Sequence, residues 1–230
     1  MKKSGFSKLA SALLVCGVAL MAPAMAAQQG DFVRPAAHVP VSPAQAAAVQ
    51  ALQTLALRVQ ADAGSLPKGF PFDVQDVSDL AQAHIAYGFQ VYDADPASLM
   101  AGESLEKSAR ATGIWRFAVM IGDKPIGLMT MAQAGSGWNA VSMGGAGLVK
   151  EVDAVVYAHG GAAQLHYVRV PQATADFIEV KSGSADARFV PLLAARESLR
   201  LAAGAGGDGL VADRVLQPAL REAVSRNSAN

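Results

Sequence analysis

Residues 114–143 read IWRFAVMIGDKPIGLMTMAQAGSGWNAVSM, and this stretch decides the fold. Trp115, Phe117, Val119 and Ile121 occupy alternate positions, the period of a strand with one buried face. Gly122-Asp123-Lys124-Pro125 supplies the turn chemistry for a reversal, after which Ile126, Leu128 and Thr130 alternate again. Ala134-Gly135-Ser136-Gly137 turns the chain once more, and Trp138 to Met143 runs as a third strand. Connections this short allow only antiparallel pairing, because a parallel crossover takes a dozen or more residues. The stretch is an antiparallel meander.

Upstream, Ile85, Tyr87, Phe89 and Val91 alternate in a further strand over 84–92. Residues 93–112 (DADPASLMAGESLEKSARAT) are polar and small, with Pro96 and Gly102 as breakers, and predict a surface connection containing one short helical turn. Ser42 followed by Pro43 starts a helix over 43–62, where Val49, Leu52, Leu55, Ala56 and Val59 recur at helical spacing. Gly64 and Pro67 end it, and 64–73 reads as a loop.

Downstream of Gly147, Leu148, Val152, Val155 and Val156 return to helical period up to Gly160-Gly161. Short strands are predicted at Gln164 to Val170, Phe177 to Val180 and Arg188 to Val190, then a helix from Leu192 to Ala203. A glycine linker (204–209) leads to a last helix over 210–224, with Pro218 as a kink. The sum is an α+β chain: an antiparallel meander sheet packed on one face against helices, with N-terminal and C-terminal helices. Its predicted organisation is an α+β domain over 43–203, followed by an appended linker and helix over 204–230.

The N-terminus carries an address. Lys2, Lys3 and Lys8 precede an apolar run from Leu9 to Met21, and Ala24-Met25-Ala26 gives the small residues of a cleavage site, so residues 1–26 read as a signal peptide. The run is near 13 residues, short of the ~20 that a spanning helix needs. Leu14 and Val15 before Cys16 do not suit lipid attachment. Residues 27–42, with Pro35 and Pro40, read as an extended leader. The expected location is periplasmic or secreted, and the mature chain is not expected to be an integral membrane protein.

Cleavage removes three of 19 basic residues and none of the 19 acidic ones, leaving a net charge near −3. That balance gives no concentrated basic surface for nucleic acid and no polybasic patch for anionic lipid. The single cysteine leaves with the signal, and with it any disulfide or thiolate chemistry. A 52% hydrophobic composition still supplies ample core.

Catalytic signatures are absent. Gly144-Gly145-Ala146-Gly147 sits between a strand and a helix, but it lacks dinucleotide spacing and the ending of a P-loop, and reads as a structural turn. The histidines (His38, His84, His159, His166) have no i, i+3 or i+4 pair, and no metal site or cofactor is predicted. Ser142, after the third strand, with His166 as its base, is the candidate catalytic pair; His159 with His166 is the metal alternative. Tyr87, Trp115, Trp138 and Tyr167 are the candidate ligand-binding aromatics, either lining an open sheet face or filling the core. The expectation is an exported, non-catalytic envelope protein that binds a partner protein, a peptide or an apolar ligand through its sheet face or a flanking helix. The alternative is a cofactor-independent periplasmic hydrolase with a serine nucleophile, or a His-based metal enzyme.

Overall fold

The computed structural model describes residues 32–33, 42–61, 70–160, 164–201 and 209–228. The signal peptide read over 1–26 lies outside the described residues, as do most of the 27–42 leader, the Gly64 and Pro67 helix stop and most of the 204–209 linker. In chain order the elements begin with β1 (Phe32–Val33), α1 (Pro43–Ala61), β2 (Ala83–Ala94), α2 (Pro96–Met100) and α3 (Leu105–Ser108). The meander follows as β3 (Ala109–Ile121), β4 (Lys124–Ala134) and β5 (Gly137–Gly144), then α4 (Ala146–His159). The chain continues through β6 (Gln164–Val170), β7 (Ala175–Lys181), β8 (Arg188–Pro191), α5 (Leu193–Ser198), β9 (Val211–Ala212) and α6 (Asp213–Ser228).

The fold is α+β, with all nine strands of the described residues in one sheet of order β5-β4-β3-β2-β6-β7-β8-β9; β1 is added beside β2. The meander is present as its turns require: β3 pairs β4 and β4 pairs β5, both antiparallel. The sheet is nevertheless mixed, because β6 returns through α4 to lie parallel to β2 over Val91, Tyr92 and Asp93. Such a crossover is the connection that a parallel pair demands. Short of that three-residue contact, β1 pairs with β2 at Phe89 and Gly88.

Both faces of the sheet are covered, where the sequence predicted one. On the first face α4 sets Val149, Val152, Val155 and Val156 against Phe89, Ala118, Leu165, Tyr167 and Ile178. Val149 and Val152 are wholly buried, each worth about 1.5–3 kcal/mol by area. The second face carries two clusters side by side. Over β2–β5, α1 packs Ala44, Ala48, Leu52 and Val59 against Phe117, Val119, Met129 and Met131. Over β6–β8, α2, α3, α5 and α6 close around Phe177 and Phe189.

Three further expectations are corrected. Residues 93–112 are not a surface connection: they hold the end of β2, then α2, α3 and the first residues of β3, and Leu99 and Leu105 are fully buried. Asp95 and Ser104 cap the two short helices by accepting from Ser98 N and Lys107 N. The C-terminal helix is no appendage, since Leu216, Leu220, Ala223 and Val224 are buried and the Asp213 carboxylate accepts from Leu105 N at 2.8 Å. The 192–203 helix stops at Ser198, because Arg200 turns left-handed (φ 53°) while Leu201 N donates back to Arg196 O at 2.9 Å.

Candidate functional site

The helix α1 begins where its cap dictates. The Ser42 hydroxyl accepts from Gln45 N at 3.1 Å, and Pro43 occupies the first turn without losing a bond. Beside its buried stripe runs a second one: Ala47, Ala51, Thr54, Leu55 and Arg58 recur every three or four residues. This second stripe faces β5, and between them lies a groove of about 330 Å³. Its floor is Met131, Trp138, Ala140 and Met143, and its polar atoms come from Gln50, Asn139 and Arg58. The Thr54 hydroxyl donates to Gln50 O at 2.8 Å.

The floor depends on a bulge. Thr130 pairs with Ser142 but Met131 pairs with Ala140, so Val141 is an extra residue in β5. Past the bulge Met143, in place of Ser142, falls on the α1 side, and Val141 is left 60% exposed. Strand β5 is also the end of the sheet, so among the described residues its outer edge pairs with no strand. At the other end β9 is only two residues long and runs straight into α6. A short strand is one way of blunting an edge; β5, eight residues without a charge or a proline, lacks that protection apart from its bulge.

The candidate aromatics divide between the faces. Trp138 lines the groove, and Trp115 stacks on Phe117 beneath α1 with centroids 6.1 Å apart. Tyr87 and Tyr167 lie on the α4 face, both buried. The Tyr87 hydroxyl donates to Asp153 Oδ1 at 3.0 Å and contributes to a cleft of about 650 Å³ with His84, Asp123 and Tyr157. Tyr167 accepts from Arg116 at 3.1 Å, and burial pushes its phenol far above the usual range, aided by the Asp176 carboxylate and opposed by Arg116.

Ser142 and His166 are not brought together. Strand order places β4, β3 and β2 between β5 and β6, four steps of about 4.8 Å, or roughly 19 Å. They also face opposite sides, since Ser142 shares a row with Thr130 and Arg116 on the α4 face while His166 pairs with Glu179 on the other. His159, on α4, is likewise across the sheet from His166. Among the described residues no group of three or more His, Cys, Asp or Glu could hold a metal ion. His166 Nδ1 instead meets Glu179 Oε2 at 2.9 Å, with the Tyr92 ring 5.2 Å away. The glycine turn is structural: Gly145, left-handed at φ 72°, starts α4, whose Val149 N bonds Gly145 O.

Sequence reasoning found Trp138 but missed the groove that it floors. The available signal was the Ala47, Ala51, Leu55 and Arg58 spacing, a second stripe on a helix already credited with one. No family model matches the chain, and no curated protein or solved structure matches it. No helix among the described residues is long and apolar enough to cross a membrane.

Proposed function

We propose that this chain is an exported, non-catalytic protein that binds an extended segment of a partner protein, taken up as an added strand on β5 with one apolar side chain seated in the α1–β5 groove. The observation that carries the reading is the juxtaposition of an edge strand without charge or proline, unpaired on its outer side among the described residues, with a groove lined by Trp138, Met131 and Met143. An edge offers a row of main-chain donors and acceptors, and a groove between that edge and a helix offers the side-chain pocket; together these are the two parts of recognition by strand addition. The volume, near the lower end of ligand pockets, suits one or two side chains and not a large cofactor. The larger cleft beside Tyr157 lies over the interior of the sheet, where the strands already pair with each other.

Export rests on the basic, apolar and small-residue succession of the first 26 residues. A photo-crosslinking residue at Asn139, which is exposed on β5, tests the binding reading in cells. The expected result is a crosslink to an extended segment of an envelope protein, lost when Trp138→Ala is added. Crosslinking that ignores Trp138 contradicts the reading. Mass spectrometry of the envelope fraction addresses export, with a mature chain starting at Ala27 as the expected result and an uncleaved cytosolic chain as the contrary one.

A further inference from the structure

Among the described residues that line the groove, one carries a formal charge. Arg58 stands at the C-terminal end of the stripe that faces β5, it is exposed, and among the described residues it has no ion pair or hydrogen bond. Elsewhere on the surface several basic side chains have found acids: Lys150 meets Asp73, Lys181 meets Glu106 and Arg196 meets Glu151. Among the described residues no aspartate or glutamate lines the groove, and β5 contributes none. A segment lying there with a basic residue beside Arg58 would meet repulsion, and an acidic one would meet a charge of opposite sign.

We infer that the bound segment carries a carboxylate, either an acidic side chain or its own C-terminus, which pairs with Arg58 and fixes the segment's register on β5. The inference rests on the strand-addition reading above. Strand pairing alone is tolerant of slips of two residues, because every second side chain returns to the same face. A guanidinium at one end of the groove removes that tolerance, since only one register places a carboxylate in its planar fork.

The test is a random octapeptide library with free C-termini, panned against the chain lacking residues 1–26, with enriched peptides resynthesised and their affinities measured. Enriched peptides are expected to share a carboxylate at one fixed position. Replacing it by its amide weakens binding about threefold to fivefold, the scale of an exposed pair, and the difference vanishes in Arg58→Gln. Glu-to-Gln exchange and C-terminal amidation, done separately, tell a side-chain acid from a terminal one. In Arg58→Glu the same panning is expected to select Lys or Arg at that position. Peptides that bind without any acid preference, equally well in Arg58→Gln, and yet are lost in Trp138→Ala overturn the inference and leave strand addition standing. Absence of any enrichment that depends on Trp138 overturns the reading beneath it.

Discussion

Phe117 lies flat against the backbone of Gly88, its register partner across β2 and β3, so closely that a Cβ placed on Gly88 would sit 2.4 Å from Cε1 of the ring. The ring is 1% exposed and stacked by Trp115, and has nowhere to go. Glycine is therefore required by space, not by an unusual backbone angle. Gly88→Ala is expected to cost about 1–3 kcal/mol, read from the urea midpoint, despite alanine's better strand propensity. Adding Phe117→Leu should recover part of that loss, because the two substitutions share one contact; strict additivity would refute it.

The groove can be filled without disturbing the core. Ala51 is half-buried and points its methyl into the groove from the stripe beside Leu55. Ala51→Leu is expected to leave the thermal midpoint within a few degrees, as for a surface-facing change, while abolishing capture of peptides selected on the parent chain. Undiminished capture would mean that side chains do not enter there.

Acid should loosen the loop that leads into β2. Asp73 accepts from Lys150 of α4 at 2.7 Å while its own N–H bonds Ile126 O. That hydrogen bond, with the charges of Lys150 and Lys124, holds the carboxyl below its ordinary value. A carboxylate lowered in the folded state adds stability above its unfolded value, near 4, and that stability is lost as pH falls through the folded value. Asp73→Asn should therefore show a shallower loss of stability than the parent as pH falls below about 4, measured by urea titration at each pH. Parallel curves would contradict the contact.

Alkali acts on a buried phenol. Tyr167, buried against Phe89 at 5.1 Å between centroids, has its phenol raised, so its contribution is complete below the unfolded value near 10 and is lost as pH rises above it. At pH 8, Tyr167→Phe is expected to cost about 1–3 kcal/mol, because Arg116 loses its acceptor. By pH 11 the gap should narrow, since only the parent then pays for keeping tyrosine protonated. A constant gap across that range would exclude a buried phenol.

How far the sequence could be read follows from the range of the contacts. Alternation in Trp115, Phe117, Val119 and Ile121 reported a local property, the period of a strand, and its turns forced antiparallel neighbours. The parallel seam could not be read this way, because it joins Val91, Tyr92 and Asp93 to residues some 75 positions later through three pairings. Leu99 and Leu105 look like isolated apolar residues in a polar stretch; only the arrival of α6, itself at the far end of the chain, makes them core.

The candidate site was legible in part for the same reason. Trp138 stood out by type, and α1 by its cap and period. Their meeting is a matter of which strand ends the sheet and of one extra residue at Val141, which sends Met143 to the groove and Ser142 away from it. A strict period of two, carried through Trp138 and Ala140, assigns Ser142 to the wrong face.

In the proposed mode of binding, β5 is the surface where another chain adds its backbone. Amide hydrogen exchange on the chain lacking residues 1–26, with and without an octapeptide enriched by panning, tests this most directly. The predicted result is slowing at alternate amides of Gly137 to Gly144, since only every second residue turns its N–H outward, together with a change at the Trp138 indole. Slowing confined to the cleft of His84, Asp153 and Tyr157, with β5 unchanged, would contradict it.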